Sequence, residues 1–300
     1  MVVTPRTRSL IREALREDRG TGDLTTETLI PAKARGKAVV LAKQSGIFCG
    51  GPVAQEVFRL RDTSLRIKIH AKEGSRISKG KKILTIRGRT RSILEAERVA
   101  LNFLGHLSGI ATLTRAFADK VKGSSAKIFD TRKTTPLWRE LEKYAVRTGG
   151  GENHRFGLWD EVLVKDNHWT AIYEILDRTR CRYFSQKLKP LQRRKIPVEV
   201  EVRNLKELAH LLEGTFVPDR ILLDNFSIRE LKRAVLFVKG LDRVLRSRYG
   251  IRRKLPLLEA SGGINLANVR AVAQTGVDRI SVGLLTHSAP ALDFSLIIVK

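Results

Sequence analysis

Hydrophobic positions change their period twice along the chain. Residues 8–17 (RSLIREALRE) place Leu10, Ile11, Ala14 and Leu15 at helical spacing, and the turn-rich run from Gly20 to Pro31 ends that helix in an expected capped loop. From Gly36 to Ile86 the pattern shortens to β-rich runs, KAVVLAKQ, SLRIKIHA and KKILTIRG, with EGSRISKG supplying turn chemistry between the last two. These predict a small separate sheet. Residues 93–117 return to helical period, with an interruption expected around Ser108 and Gly109 that would mark a domain junction.

After Ala126 short apolar runs recur, and each stops at a polar or charged cluster: AKIFD, EVLVK, PVEVEV, RILLD, LLEA and RISVG. They predict six strand ends, at Asp130, Lys165, Val202, Asp224, Ala260 and Gly283, spaced 35, 37, 22, 36 and 23 residues apart. Each interval has room for a crossover helix. Such helices are legible in PLWRELEKYAV, LKELAHLLE, IRELKRAVLFV and LANVRAVAQTG. The fold class read from this order is α/β, a parallel sheet whose chemistry belongs at the carboxyl ends of its strands.

Composition changes this picture in one respect. The 300 residues include 57 Lys and Arg against 31 Asp and Glu, a formal charge of +26. A nucleic-acid partner is one explanation, but the basic stretches Arg178 to Lys195 and Arg229 to Lys254 carry no recognisable nucleic-acid motif and read as solvated faces. Cys49 and Cys181 cannot supply a disulfide framework, and no Cys/His spacing matches a structural zinc site. The first residues lack the apolar centre of a signal peptide, and no run of about 18 apolar residues occurs. A cytoplasmic location without membrane contact is expected.

Candidate chemistry gathers at the strand ends. Arg132 and Lys133 follow the first strand, His154 and Arg155 lie in GGGENHR, and Lys165 with His168 follow the second. Singly each reads as a surface cation. Converging guanidinium groups repel one another unless an anion sits between them, so together they point to an anionic substrate. Later strands supply acids: Glu199 and Glu201 alternate with valines, and Asp224 ends ILLD. A carboxylate there can hold Mg²⁺, bind ribose hydroxyls or stabilise a developing cation, while pairing with one of the many arginines competes for Glu199. Ser261, Gly262 and Gly263, and then Gly283, open loops whose backbone N–H groups suit a phosphate. The residues thus describe an enzyme that joins a multiply carboxylated molecule to a phosphorylated sugar.

These segments resemble the quinolinate phosphoribosyltransferase family along almost the whole chain: EDRGTGDLTTETLIP, EAERVALNFLGHLSGIAT, DTRKTTP, EKYAVRTGGGENHRFGLWDEVLVKDNH, VEVEV, ILLDNF, EASGGI and SVGLLTHS, in that order. The resemblance implies transfer of a phosphoribosyl group from 5-phosphoribosyl-1-pyrophosphate to quinolinate with Mg²⁺, giving nicotinate mononucleotide, pyrophosphate and CO₂ for NAD biosynthesis. It implies that Arg132, His154, Arg155 and Lys165 surround the quinolinate carboxylates, and that Arg98 reaches into the site of a neighbouring subunit. Lys133, Glu201 and Asp224 would serve the ribose-pyrophosphate, the two acids also holding the metal directly or through water. Ser261, Gly262, Gly263 and Gly283 would hold the 5-phosphate. The implied architecture is an N-terminal open-sandwich domain over residues 1–108, completed by about 286–300, and an incomplete six- to seven-stranded α/β barrel over 109–285. A homodimer with shared active sites is implied; higher oligomers are left open.

Two departures from the family pattern stand out: Leu137 and Trp138 replace the usual glycine and apolar residue after DTRKTTP, and the basic insertion 178–195 is long. The nearest rival is a paralogue of the same fold acting on another base or acid, such as the molybdenum-transport-associated pyrophosphorylase-like proteins. A rival of another class is a nucleic-acid-binding protein using the basic stretches; nucleic acid is not the expected partner.

Overall fold

A computed structural model of the chain describes residues 3–175, 180–214, 216–249 and 255–299. The chain divides into two compact units, one of Met1–Ala116, Lys133–Gly151 and Leu285–Lys300, the other of Phe117–Arg132 and Glu152–Leu284.

The first unit begins with α1 (Pro5–Arg19) and α2 (Leu24–Leu29). Thr4 caps α1 by accepting from the Thr7 amide at 3.1 Å, and Ile11 is its buried anchor. Helix α2 corrects the capped-loop expectation for Gly20–Pro31: Asp23 accepts from the Thr26 amide at 2.9 Å and turns six residues of the stretch into helix. Then come β1 (Arg35–Ala42), β2 (Gly46–Ile47), α3 (Gly51–Arg61), β3 (Arg66–Ile69), β4 (Arg76–Ile77) and β5 (Lys82–Arg89). Helix α3, which the β-rich reading of this region did not include, buries Val53, Val57 and Phe58 and packs on α1.

The long α4 (Thr90–Lys120) runs without a break, so Ser108 and Gly109 do not interrupt it. Their small size serves packing. Ser108 Oγ donates to the Cys49 carbonyl and accepts from the Cys49 amide, both at 3.0 Å, and a Cβ on Gly109 would stand 2.1 Å from the Pro290 carbonyl oxygen.

Later in the chain, α5 (Arg139–Gly149) also belongs to this unit. Its Glu142 is fully buried beside His106 of α4, with 2.9 Å between carboxylate and ring nitrogen. The last strand of the chain, Phe294–Val299, pairs antiparallel with β1, from Ala42 against Phe294 to Lys37 against Val299. It is the edge of a four-stranded sheet that continues through β5 to β3.

The second unit contains β6 (Lys127–Phe129), β7 (Val162–Val164), α6 (Asp166–Ile175), α7 (Arg180–Arg193), β8 (Val198–Val202), α8 (Leu205–Glu213), β9 (Arg220–Asp224), α9 (Ile228–Tyr249), β10 (Leu257–Ser261), α10 (Val269–Ala273) and β11 (Arg279–Ser281). A short α11 (Leu284–His287) follows, and the last strand is β12. The six strands form one parallel sheet in the order β6-β11-β10-β9-β8-β7, with β6 and β7 as edges, the topology of an incomplete α/β barrel. All six expected strand ends fall within two residues of the observed ones.

Much of the basic insertion is α7, which is part of the unit's wall. Phe184 and Leu188 pack into a core with Val164, Val198, Val200 and Phe216, and Phe184 stacks on Trp169 at 4.7 Å. Its first residues, Arg178 and Thr179, lie outside the described residues, as do residues 250–254 of the second basic stretch.

Candidate active site in the parallel sheet

Side chains two apart on a strand share a face, and that rule sorts the charged residues of the sheet into two levels. The deeper level holds Glu161, Glu199, Arg220, Glu259 and Arg279. Arg220 pairs with Glu161 through Nη2, and its Nε is 3.6 Å from Glu199. Arg279 Nε lies 2.6 Å from Glu259, its guanidinium seated over the Phe129 ring at 3.7 Å. Ser281 Oγ donates to the other Glu259 oxygen. His154 completes the level: Nε2 lies 3.0 Å from Glu199 and 3.3 Å from Glu259.

Glu199 and Glu259 are fully buried. Their mutual environment sets the protonation of the group. Burial works against a charged His154 ring, but the Glu199 and Glu259 carboxylates outweigh it and hold the imidazole up at about 9. Burial likewise opposes ionised Glu259, yet His154 and Arg279 draw its carboxyl below the usual range. Glu161 moves the other way, raised by burial with the nearby Glu199 adding to the shift.

One step nearer the strand ends the balance changes sign. Arg155, only 8% exposed, donates from Nη1 to the Glu161 carbonyl at 3.2 Å. Its guanidinium is pulled below the ordinary arginine value, first by burial and then by repulsion from Arg132. Asp130, just past β6, is buried and accepts the His154 amide at 2.9 Å, which fixes the start of this loop. The loop is closed by Asp160, whose two oxygens accept the Phe156 and Gly157 amides at 2.6 and 2.9 Å. Lys165 follows β7, with Nζ 3.0 Å from Glu201 of β8, and its amide donates to His168 Nδ1 at 2.9 Å. His168 therefore shapes the turn into α6.

Asp224 ends β9 and accepts from Asn225 Nδ2 at 2.8 Å. Asn225, at φ +55°, donates its amide to the Ser261 carbonyl at 2.9 Å, joining the ends of β9 and β10. Gly262 has φ +89°, and a Cβ there would stand 2.1 Å from Asn225 Oδ1, so the position demands glycine twice over. Gly263 is left-handed too and has open space beside it; its carbonyl accepts from Asn268 Nδ2 at 2.9 Å. Gly283 lies two residues beyond β11.

The second unit thus brings Arg132, His154, Arg155, Lys165, Glu201, Asp224, Ser261, Gly262, Gly263 and Gly283 to the carboxyl ends of one sheet. Arg98 and Lys133 belong to the first unit. Arg98 is exposed on α4 beside a cavity of about 400 Å³ also lined by Asn102, His106 and Asp293. Lys133 is exposed, and its carbonyl accepts from Thr286 Oγ1 at 2.7 Å. Leu137 takes a left-handed φ of +68° and is 70% exposed, while Trp138 stacks on Phe103 at 4.6 Å and meets His106 edge-on.

Among the described residues, His154, Glu161 and Glu199 offer ligand atoms within 4.8 Å of one another. Arg220 stands as counter-ion to both glutamates, so a divalent cation there would meet a fixed guanidinium. Glu201 and Asp224 also offer hard oxygen donors at neighbouring strand ends, Glu201 paired with Lys165 and Asp224 partly open to solvent.

Residues 110–297 match the profile of the quinolinate phosphoribosyl transferase C-terminal domain, and residues 23–108 that of the N-terminal domain. The chain belongs to the quinolinate phosphoribosyl transferase family. A curated relative from Mycobacterium leprae, a nicotinate-nucleotide pyrophosphorylase (carboxylating), is 41% identical over 294 residues, 96% of each chain. The probable enzyme of that name from Bacillus subtilis is 37% identical, over 96% of this chain and 92% of its own. The solved nicotinate-nucleotide pyrophosphorylase of Ehrlichia chaffeensis superposes with a TM-score of 0.85 at 36% identity, covering 100% of both chains. The phosphoribosyl transferase fold therefore extends over both units. No helix among the described residues is long and apolar enough to cross a membrane.

Proposed function

We propose that this chain is a decarboxylating quinolinate phosphoribosyltransferase, which converts quinolinate and 5-phosphoribosyl-1-pyrophosphate to nicotinate mononucleotide, pyrophosphate and CO₂ in NAD biosynthesis. The observation that carries the reading is the buried Arg155 at the mouth of the parallel sheet, whose guanidinium is pulled below its ordinary value by burial and by the charge of Arg132. A buried guanidinium under the repulsion of a second positive charge gains from a ligand that brings carboxylates to it.

In this reading Arg132, Arg155 and Lys165 hold the carboxylates of quinolinate, with His154 beside them, and orient the ring nitrogen toward the anomeric carbon of the ribose. The amides of the Ser261–Gly263 turn and of Gly283 hold the 5-phosphate. As the nitrogen attacks and pyrophosphate leaves, positive charge grows on the ribose, and the carboxylates of Glu201 and Asp224 stabilise it. Lys133 steadies the departing pyrophosphate. Mg²⁺, held by Glu201 and Asp224 directly or through water, would supply charge neutralisation to the pyrophosphate. The new C–N bond makes the pyridine nitrogen cationic. Loss of CO₂ then leaves an electron pair on the adjacent ring carbon, which the pyridinium stabilises until that carbon takes a proton. The protein's part in this step is to fix the carboxylate and exclude water.

Exposed Arg98 fits a role across a subunit boundary, and we read the active form as a homodimer in the cytoplasm. The deciding experiment supplies purified protein with 5-phosphoribosyl-1-pyrophosphate, Mg²⁺ and either quinolinate or nicotinate. Equal amounts of CO₂ and nicotinate mononucleotide from quinolinate, and no product from nicotinate, are expected. Product from nicotinate alone, or none from folded dimeric protein, refutes the proposal.

A further inference from the structure

Helix α9 buries Leu231, Ala234, Val235 and Val238, each no more than 3% exposed, along one face. Its other face breaks the rule that apolar residues turn inward. Leu236 is 69% exposed and Phe237 43%, and the positions around them at helical spacing are Arg229, Lys232, Arg233, Lys239 and Arg243, all exposed. Gly240, one turn beyond Leu236, would meet nothing within 4 Å if it carried a Cβ, so the described chain leaves that part of the stripe open. Glu230, the acid among the described side chains of α9, is half-buried and already accepts the Ser227 amide and hydroxyl at 2.9 and 2.7 Å. From Arg229 to Lys254 the sequence holds ten Lys and Arg against Glu230 and Asp242.

We propose that this face of α9 docks on an anionic lipid leaflet, with Leu236 and Phe237 entering the hydrocarbon boundary and the flanking cations meeting the phosphates around them. The proposal does not rest on the quinolinate reading. Charge chooses the occupant. A second copy docked about a twofold axis would set these five cations against five. A nucleic-acid backbone would satisfy the cations and leave Leu236 without an apolar partner. An anionic leaflet supplies negative charge and hydrocarbon side by side: the long Lys and Arg stems reach the first while the apolar pair enters the second. The expectation of no membrane contact rests on the lack of an apolar run of spanning length, which a helix lying in the interface does not need.

The test sediments the full chain with vesicles of phosphatidylglycerol and phosphatidylcholine in equal parts, and with phosphatidylcholine alone. Binding to the first only, weakened by added salt, is expected. A chain of charge +26 can adsorb through any basic face, so three variants carry the decision. L236S/F237S keeps every charge and should weaken binding about tenfold. K232Q/R233Q should also weaken it about tenfold or more, whereas K189Q/R193Q, which removes the same charge from exposed positions of α7, should stay within about twofold of wild type. Each variant should keep Tm within a few degrees of wild type. Full binding by L236S/F237S, or equal loss in the two charge pairs, assigns the adsorption to net charge and overturns the inference. It is overturned as well by no binding to the anionic vesicles, or by a single-stranded oligonucleotide held where vesicles are not. A smaller oligomeric mass for L236S/F237S overturns it too, because the face then belongs to a subunit contact. If L236S/F237S does not fold, the two charge pairs decide.

Discussion

The two charged levels of the parallel sheet are made from the same residue types and reach opposite states. The deeper one is closed: Glu161, Glu199 and Glu259 are matched by Arg220, Arg279 and His154 over distances that include 2.6, 3.0 and 3.3 Å. The upper one, at the strand ends, is open to an anion: burial and the charge of Arg132 pull the Arg155 guanidinium below its ordinary value, while Lys165 meets Glu201 at 3.0 Å and Asp224 accepts from Asn225. A closed level adds rigidity and no affinity. An open one costs stability in the free protein and returns it when an anion binds. The difference predicts that substitutions at the two levels separate cleanly into losses of activity and losses of fold.

The largest effect is expected at the open level. Arg132→Ala or Arg155→Ala should lower kcat/KM for quinolinate by about three orders of magnitude, about 4 kcal/mol of transition-state stabilisation. Tm should change by no more than a few degrees. The closed level should respond in the other sense. Arg220→Met strands Glu161 and should cost about 3–5 kcal/mol in denaturant unfolding.

Next in size is the pH dependence of stability. His154 is held at about 9, above its unfolded value near 6.5, so its contribution is complete below about pH 6.5 and is lost as pH rises through about 9. The difference in unfolding free energy between wild type and H154Q should therefore shrink by about 3 kcal/mol, at most, across that window. A difference that grows with pH contradicts the raised His154 value. The smallest effect belongs to a residue outside both levels. Leu137→Gly removes the steric cost of a left-handed leucine at the expense of chain entropy, for a net gain of up to about 1 kcal/mol in the unfolding free energy.

The open level was the legible one. Lys165 and Asp224 each end an apolar run and Arg132 lies two residues past the end of another, and a break in hydrophobicity marks a strand end in sequence as it does in space. Of the closed level, the sequence flagged Glu199, with an arginine as its competing partner, and His154, read there as part of the cationic cluster; Arg220 does lie 3.6 Å from Glu199. Glu161, Arg220, Glu259 and Arg279 were missed because each sits at the start or middle of its run and reads as strand punctuation. The usable signal was a charged residue two to four positions before each strand end, recurring in EVLVK, VEVEV, RILLD, LLEAS and RISVG. One such residue is noise, but five in register imply a paired layer. Ser108 and Gly109 misled for a different reason: small residues weaken a helix locally, and only the neighbouring Cys49 and Pro290 reveal that they allow close packing. Helix α2 lay in plain sight behind Asp23, whose capping bond to Thr26 was outweighed in the reading by the surrounding glycines.

The most direct test of the two-level account is thermal unfolding with millimolar quinolinate or nicotinate and no second substrate. Wild type should gain several degrees with the dicarboxylate and little with the monocarboxylate, and the gain should vanish in Arg132→Ala and Arg155→Ala. A quinolinate-dependent rise that survives in both arginine variants would mean that the anion binds elsewhere and that the open level is not the substrate's seat.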